Sequence, residues 1–506
     1  MIMKESVLAI DAGTTGVRCI VFDTAGAVLV SAYEEFPSQF PQPSWVEQDA
    51  NVWWNAVKET IHQCLKSPTI KPDDILGISI TNQRETIVPV DEQGVPLRKA
   101  IVWQDRRTIT ECDWIRKTIG IDEIYSTTGL TIDPYFSASK IIWIKENDSK
   151  AFKKAHKFLL VHDFIIHRLT DRFVTDYSNA SRTMLFNISQ CDWSEKLLNK
   201  MEMPREAMPE PLPSGTFVGE LTSNASRELG INVGTPVVTG GGDQQCAALG
   251  VGVTKSGSIK ATTGTGTFIL AHSNEIKLDP NRRVLCSCHV VPKSYVVEAS
   301  IFTTGSALRW FRDNLGYKET TEAEKLGVDP YEVLTEGAGE VPAGSEGVLH
   351  IPHFVGAGAP YWNPHARGIF AGLALGHTRK HLIRAILEGV AYEIRTNLDV
   401  MCELGISSSD VRVTGGAARS KLWMQIQSDV LNLPIILTEI EEATALGAAI
   451  LACKGAGIFS SITKAADEMI KPIDRLTPSS TNREVYDTGY LRYKALYEAI
   501  SDMRWD

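Results

Sequence analysis

Short apolar runs separated by glycine-containing turns dominate the start of the chain. Residues 7–11, 17–23 and 27–33 form three such runs, joined by the turns AGTTG and TAG. Apolar, β-branched runs between glycine turns are typical of antiparallel hairpins. The pattern therefore predicts that the chain opens with three consecutive strands.

Helical periodicity first appears over residues 51–65, where apolar side chains recur on one face. Two further apolar runs, residues 75–81 and 99–105, are predicted strands. In the second half, an apolar stripe predicts a long helix over residues 379–403, with Thr378 at its start and Gly405 at its end. Residues 442–457 are rich in small side chains and predict a helix that packs closely, and the polar tail predicts a last helix from about residue 482.

The opening pattern recurs halfway along the chain. Residues 256–273, SGSIKATTGTGTFILAHS, again indicate a strand, a Thr/Gly turn and a strand. Two such hairpins, about half a chain apart, suggest that each begins a domain. We therefore predict two domains, residues 1–250 and 251–506.

Composition narrows the class of protein. The 506 residues are 43% apolar and 22% charged, which excludes wholesale disorder and collagen-like or coiled-coil repeats. With 51 basic and 61 acidic residues, the net charge of −10 disfavours a nucleic-acid partner. The first apolar run contains Asp11, unlike a signal-peptide core, and no run approaches the roughly 20 residues of a membrane span. We expect a cytoplasmic protein without membrane insertion.

Both Thr/Gly turns are candidate phosphate-binding elements. In DAGTTGVR, main-chain N–H groups and the hydroxyls of Thr14 and Thr15 can face phosphate oxygens, Arg18 adds charge, and Asp11 can hold magnesium through water. In TTGTGTF, two glycines permit close approach and Thr265 adds a hydroxyl. Each turn could equally be a plain hairpin; together they could clamp phosphates from both sides of a cleft.

The segment VVTGGGDQQ places Asp243 after a strand and three glycines. In phosphoryl transfer, one carboxylate accepts the proton of the nucleophile, and Asp243 is the best candidate for that role. The alternative is an aspartate that only caps the next helix.

Three other segments could contact ligands. Arg84 and Glu85 follow a predicted strand and could bind a polyol, although a surface salt bridge would have the same sequence. Trp103 could form an apolar wall for a small carbon chain, or belong to the core. The turn TGGAARS, residues 414–420, could lie against a nucleoside.

The chain contains no Gly-Lys-Ser/Thr and no G-x-G-x-x-G helix start after its first strand, so neither a Walker loop nor a dinucleotide fold is indicated.

Taken in order, DAGTTGVR, GGGDQQ, TTGTGTF and TGGAARS resemble the FGGY family of carbohydrate kinases. YFSASKIIWIKEN and GIFAGLALGHTRKHLIRAILE are also similar to signatures of that family. The resemblance covers nearly the whole chain. It implies an α/β protein of two ribonuclease-H-like domains of the actin/hexokinase ATPase type, with ATP and Mg²⁺ in the cleft between them.

Within the family, TNQRET, IVWQDRRT and DPYFSASK resemble the members that phosphorylate glycerol. The resemblance implies a polyol pocket and a base, Asp243, that also faces magnesium together with Asp11. The implied pocket residues are Arg84, Glu85, Trp103, Tyr135, Asp243, Gln244 and Phe268. The residues implied at the phosphates are Thr14, Thr15, Arg18, Thr265 and Gly305. The residues implied beside the adenosine are Gly416, Ala417 and Ser420.

The sequence departs from those members at Ala12, Gly16, Arg309 and Ser420, where they usually carry Gln, Ser, Gln and Asn. The expected activity is phosphorylation of glycerol to glycerol 3-phosphate, with xylulose, ribulose, erythritol or gluconate as alternative substrates. A more remote alternative is an actin-fold ATPase or regulator without a metabolic substrate. The resemblance is compatible with a homodimer or homotetramer.

Overall fold

The computed structural model describes residues 5–438 and 442–505. The strands before residue 250 are β1 Ser6–Ala12, β2 Gly16–Asp23, β3 Val28–Glu35, β4 Glu47–Gln48, β5 Ile75–Asn82, β6 Ile87–Val90, β7 Ala100–Ile101, β8 Lys157–Leu160, β9 Val174–Asp176, β10 Phe186–Asn187, β11 Asp192–Trp193, β12 Glu210–Leu212, β13 Phe217–Glu220 and β14 Pro236–Gly242. The strands after it are β15 Ser258–Thr263, β16 Thr267–Ser273, β17 Leu285–Cys288, β18 Tyr295–Ile301, β19 Leu349–Ile351, β20 Ile369–Ala371, β21 Asp410–Thr414, β22 Ile435–Thr438 and β23 Pro472–Leu476.

Helices are distributed over both halves. Those of the first half are α1 Ala50–Leu65, α2 Ile109–Thr118, α3 Ile121–Thr128, α4 Ser137–Asn147, α5 Ser149–Lys154, α6 Val161–Thr170, α7 Tyr177–Ala180, α8 Glu195–Lys200, α9 Ser223–Leu229 and α10 Asp243–Gly250. Those of the second half are α11 Gly305–Asn314, α12 Tyr317–Leu326, α13 Pro330–Gly339, α14 Arg379–Glu403, α15 Lys421–Leu431, α16 Ala443–Gly455, α17 Ile462–Met469 and α18 Arg483–Ile500.

Two mixed sheets of similar construction form the frame. The first has the order β13-β14-β5-β1-β2-β3, and the second has the order β17-β18-β16-β15-β21-β22-β23. In each, an antiparallel hairpin (β1–β2 or β15–β16) is followed by parallel pairing of its first strand with a later strand (β5 or β21). The predicted repeat of the Thr/Gly hairpin is thus a repeat of sheet topology, and the predicted α/β class is confirmed. The domain limits themselves stay a prediction.

Helix α16 joins the C-terminal part of the chain to the first sheet. Its buried face packs with residues of β1 and β2 in one apolar cluster. Its small side chains also permit close contact with α10. A Cβ atom on Gly447 would lie 2.0 Å from the carbonyl oxygen of Cys246, and one on Gly250 would lie 1.9 Å from that of Ala443. This close helix crossing fixes α10, whose first residue is Asp243.

The long helix α14 spans the residues predicted from its apolar stripe, and its buried face packs on the second sheet. The last helix, α18, also begins where the sequence indicated. The strand β23, which pairs with β22, was not predicted from the polar tail. Among the described residues, no helix has the length and apolar character needed to cross a membrane.

The strand predicted over residues 99–105 is wrong in extent, because only Ala100–Ile101 is a strand. The chain turns after Val102, whose carbonyl accepts a hydrogen bond from the N–H of Asp105 at 3.0 Å. The Asp105 carboxylate is buried and accepts the N–H of Val46 at 2.6 Å. A buried carboxylate that bonds to a neighbouring segment thus replaces continued strand pairing.

Candidate active site

The two predicted carboxylates lie at the same edge of the first sheet. In β5, Thr81 is paired with Asp11 on one side and with Gly241 on the other. Because parallel strands end at a common edge, Asp11 and Asp243 flank the end of β5. The pKa of Asp11 is raised to about 7, mainly by burial and then by the nearby carboxylates of Asp243 and Glu442, while Arg18 opposes the rise. A cation between the two aspartates would relieve this repulsion.

Asp243 is oriented by two direct contacts. Its Oδ1 atom lies 3.3 Å from Nε of Arg84 and accepts the main-chain N–H of Gln244 at 2.7 Å. A Cβ on Gly242 would lie 2.6 Å from Cδ of Arg84, so the glycine makes room for the arginine. Burial raises the pKa of Asp243, while the cations of Arg84 and Lys260 oppose that rise. The side chain is 33% exposed, so one face of the carboxylate remains accessible to a ligand.

Arg84 joins the two halves through a buried ion pair. Its Nη1 and Nη2 atoms donate to the two carboxylate oxygens of Glu298 in β18, at 2.9 and 3.1 Å. Arg182 adds a weaker contact to Glu298 at 3.4 Å. Burial alone would raise the pKa of Glu298, but Arg182 and Arg84 hold it at about 2. Both arginines and Glu298 are at most 3% exposed, so the position of Arg84 depends on the second half of the chain.

Glu85 has unused hydrogen-bonding capacity. Its Oε1 atom accepts from Nε of Arg182 at 2.6 Å, whereas its buried Oε2 atom has no hydrogen-bond partner within residues 5–438 and 442–505. Its backbone is in the left-handed region, with φ of 62°, which is rare outside glycine. Buried orphan atoms and strained backbone concentrate where a ligand completes the structure. Glu85 is therefore a candidate acceptor for a substrate hydroxyl.

Trp103 and Tyr135 form an aromatic wall next to these charges. Their rings lie 5.6 Å apart at 85°, and both side chains are half-buried. The indole Nε1 of Trp103 donates to the hydroxyl of Thr14 at 2.9 Å, which connects the wall to the first Thr/Gly turn. The guanidinium of Arg182 lies 5.6 Å from the Tyr135 ring centre. The structure thus brings Trp103, Tyr135, Glu85 and Thr14 together.

Gln244 and Phe268 lie on the side of the second sheet. The side-chain oxygen of Gln244 accepts from Nζ of Lys260 in β15 at 2.6 Å. Phe268, in β16, packs against an apolar cluster that includes Ala248 and Leu270. This apolar cluster contains none of the other predicted pocket residues.

The first Thr/Gly turn is closed by a hydrogen bond from the N–H of Gly13 to the carbonyl of Gly16, at 2.9 Å. Thr15 is exposed, with its hydroxyl 3.3 Å from that of Tyr33. Arg18 lies opposite Asp11 in the β1–β2 pair and forms an ion pair with Glu442. The predicted phosphate contact of Arg18 would therefore compete with this carboxylate.

The second Thr/Gly turn is supported by the start of α11. The N–H of Gly305 donates to the carbonyl of Gly264 at 2.9 Å, and that of Thr304 donates to Thr265 at 3.0 Å. A Cβ on Gly305 would lie only 2.2 Å from the Gly264 oxygen, so a glycine is required here. Thr265 itself is exposed. The N–H groups of Thr304, Gly305 and Ser306 are thus donated to carbonyls of the turn, and they hold the turn against the amino end of α11.

The third turn follows β21, beside the second. Gly416 and Ala417 belong to a single 3-10 turn, Gly416–Arg419. The hydroxyl of Ser420 accepts the N–H of Trp423 at 3.3 Å and so caps α15. The hydroxyls of Thr262 and Thr414 lie 2.7 Å apart, which holds the ends of β15 and β21 together. The three glycine-rich turns predicted to contact the nucleotide therefore lie at strand ends, and the second and third turns are adjacent to each other.

Sequence reasoning missed four charged residues of this site, namely Arg182, Lys260, Glu298 and Glu442. A signal was present for two of them: Lys260 and Glu298 each stand alone as a charge in an otherwise buried strand. Charged side chains are rarely fully buried without a partner. Their partners lie far away in sequence, so the sequence could not identify them.

Comparison with known proteins identifies the family. Residues 6–250 match the family model for the N-terminal domain of FGGY family carbohydrate kinases, and residues 259–456 match that for the C-terminal domain. A glycerol kinase of Saccharolobus islandicus (strain M.14.25 / Kamchatka #1) is 40% identical over 467 residues, covering 90% of this chain and 89% of that protein.

Two solved structures share the fold along almost the full length. The xylulose kinase of Rhodospirillum rubrum is similar with a TM-score of 0.91 and 29% identity, covering 98% of this chain and 99% of that one. The glycerol kinase of Plasmodium falciparum, solved with ADP, has a TM-score of 0.88 and 26% identity, covering 98% of both chains.

Proposed function

We propose that this chain, which belongs to the FGGY family of carbohydrate kinases, transfers the γ-phosphoryl group of ATP to a primary hydroxyl of glycerol, giving glycerol 3-phosphate and ADP. The observation that carries the proposal is the partly exposed carboxylate of Asp243 beside buried charged side chains and the Trp103–Tyr135 aromatic pair. The glycerol kinases among its relatives, at 40% identity, support this choice of substrate.

The pocket is suited to a small polyol. Glu85 offers an unpaired carboxylate oxygen to one hydroxyl, and Gln244 and Tyr135 add polar groups. Trp103 and Phe268 provide apolar surface for the carbon chain. Arg84, fixed by Glu298, keeps its Nε next to Asp243. We assign the substrate hydroxyl that reacts to the exposed face of Asp243.

The nucleotide would lie over the three glycine-rich turns. Thr14 and Thr15 from one half, and Thr265 from the other, would contact the phosphates through hydroxyl and N–H groups, and Gly305, which has no side chain, would let them approach the backbone. Arg18 would exchange Glu442 for a phosphate oxygen. Gly416, Ala417 and Ser420 would lie along the adenosine. The ADP-bound glycerol kinase with this fold supports nucleotide binding in the family.

The donor set at Asp11 and Asp243 fits magnesium. Mg²⁺ prefers oxygen ligands and is commonly held by one or two carboxylates together with substrate phosphates and waters. The raised pKa of Asp11, caused by burial and by the carboxylates of Asp243 and Glu442, indicates a surplus of negative charge at this point. When bound there, Mg²⁺ would neutralise charge on the phosphates.

The transfer itself requires few protein groups. Asp243 accepts the proton of the attacking hydroxyl, the oxygen–phosphorus bond to the substrate forms, and the bond to the ADP oxygen breaks. Arg84 and Lys260 favour the ionised state of Asp243 before the proton moves. The N–H groups of the turns stabilise the charge on the transferred group. Approach of the two halves would exclude water, which otherwise competes as the acceptor.

The proposal is tested by following ADP formation and phosphorus NMR spectra of the products. With ATP, Mg²⁺ and glycerol, we expect glycerol 3-phosphate in amounts equal to the ADP released, and little ADP without glycerol. Stoichiometric phosphorylation of xylulose, ribulose, erythritol or gluconate, but not of glycerol, would instead identify another sugar or polyol kinase. ADP release that no acceptor changes would favour an ATPase. A cytoplasmic location and a dimer or tetramer remain predictions.

A further inference from the structure

Lys260 projects from the second sheet towards Gln244 and Asp243 at the start of α10. In the sheet, Leu270 is directly opposite Lys260 on one side and opposite Glu298 on the other. Directly paired residues share a face of a sheet, so Lys260 and Glu298 belong to one row. Both reach residues of the first half: Glu298 contacts Arg84, and Lys260 contacts Gln244.

The Lys260 side chain is completely buried, with 0% of its surface exposed. Burial lowers the pKa of its ammonium group to about 7, against the opposing effect of the carboxylates of Asp243 and Glu298; Arg84 is the other charged group that faces it. An apolar side chain of similar length would avoid the cost of burying an ammonium group. A lysine that serves only to pack would therefore be a poor choice for this position.

The hydrogen bond to Gln244 determines the orientation of its amide. An ammonium group has donors and no acceptor, so the atom that lies 2.6 Å from Nζ must be the amide oxygen. The amide NH₂ group is thereby directed away from Lys260. Within the described part of the chain it donates to no other protein group, and Gln244 is half-buried beside Asp243.

We propose that Lys260 is a positioning residue that locks the Gln244 amide, so that its NH₂ group is presented as a donor to a substrate hydroxyl. This inference rests on the proposed function. It adds that the second half of the chain sets the hydrogen-bonding polarity of the polyol pocket. Lys260 does not itself contact the substrate.

A double-mutant cycle between Lys260 and Gln244 tests this role, with glycerol and ATP as substrates. We expect K260M to raise the KM for glycerol about tenfold while changing the KM for ATP less than about twofold, because one charge-assisted hydrogen bond is lost. Q244A should have a similar effect. If Lys260 acts through Gln244, then K260M added to Q244A should cause less than about a twofold further change.

Three comparisons separate positioning from a structural role. K260Q keeps a donor at this position and should recover part of the glycerol KM, whereas K260M should not. K255M, at an exposed lysine three residues before the strand that carries Lys260, should match the wild type. The melting temperature of K260M should equal or exceed that of the wild type, because a buried charge is removed.

Additive effects in the cycle, or equal changes in the KM values for glycerol and ATP, would overturn the inference while leaving the proposed function intact. If the wild type phosphorylates another polyol instead of glycerol, the same cycle is measured with that polyol. A wild type that phosphorylates no acceptor overturns the proposed function and this inference together.

Discussion

The two regions of the proposed active site are built by different means. The region assigned to the substrate is made of charged side chains, and its central residues Arg84, Glu85, Arg182 and Glu298 are each at most 3% exposed. The side assigned to the nucleotide is made of glycine-rich turns, in which main-chain contacts predominate and Thr265 is exposed.

This difference indicates how each side obtains its selectivity. Buried side-chain networks place individual donors and acceptors and reject ligands that leave them unpaired. Glycine-rich turns can bind phosphates through main-chain groups, which do not depend on the identity of a side chain. Substrate choice should therefore depend on few side chains, and nucleotide binding on backbone shape.

The largest effect is expected for D243N. An amide of the same size cannot accept the proton of the substrate hydroxyl, so kcat should fall about 1000-fold or more. The KM for ATP should change little, because the turns are intact. Steady-state kinetics measure both values. A kcat within about tenfold of the wild type would exclude Asp243 as the base and leave the substrate side without its chemical centre.

A second test removes the charge that joins the halves. E298Q should lower the free energy of unfolding by about 3 kcal/mol at neutral pH, because Arg84 and Arg182 lose their shared carboxylate. Folding holds the pKa of Glu298 at about 2, against a usual value of 4.5. The contribution of the ionised Glu298 to the free energy of unfolding is therefore complete above pH 4.5 and is lost as the pH falls towards 2.

Urea unfolding at several pH values measures this dependence. The difference in stability between E298Q and the wild type should narrow as the pH falls from about 4.5 to 2. A constant difference over that range would mean that the Glu298 carboxylate is not the stabilising group, and that the halves are joined by packing alone.

Substrate preference should change in W103A. Removing the indole enlarges the pocket and releases Thr14 from its hydrogen bond. We expect the ratio of kcat/KM for erythritol or xylulose to that for glycerol to rise about 10- to 100-fold. W114A, at an exposed tryptophan on α2, serves as the control and should leave the ratio unchanged. An unchanged ratio in W103A would remove Trp103 from the pocket.

The smallest effects are expected for substitutions of two glycines in the turns assigned to the nucleotide, Gly305 and Gly416. G305A should raise the KM for ATP about tenfold, because its Cβ would lie 2.2 Å from the Gly264 oxygen and displace the turn. A Cβ on Gly416 meets no described atom within 4 Å, so G416A should fold normally and change the KM for ATP only about two- to threefold. Neither variant should alter the KM for glycerol; a glycerol effect as large as the ATP effect would contradict the division of the cleft.

Periodic elements were predictable from the sequence. The hairpin β1–β2 and the helix α14 follow from local patterns. In α14, apolar side chains recur at helical spacing over 25 residues, which distinguishes a helix from a strand. The run at residues 99–105 has equally apolar character, but the buried Asp105 bonds to Val46, some 60 residues away, and ends the strand early. Local patterns do not contain such contacts.

The site residues that belong to short sequence motifs were predictable from the sequence. Asp243, Arg84 and Glu85 were identified from the sequence, and the structure brings them together. Glu298 and Lys260 were missed because their roles arise from pairing with residues 214 and 16 positions away. The network that fixes the pocket is a property of the folded chain.

The central claim is tested most directly by ranking kcat/KM for ATP-dependent phosphorylation of glycerol, erythritol, xylulose, ribulose and gluconate with one preparation of the enzyme. We predict that glycerol exceeds each of the others by at least about tenfold. A higher value for xylulose, or for any other acceptor in the series, would contradict the assignment of this pocket to glycerol.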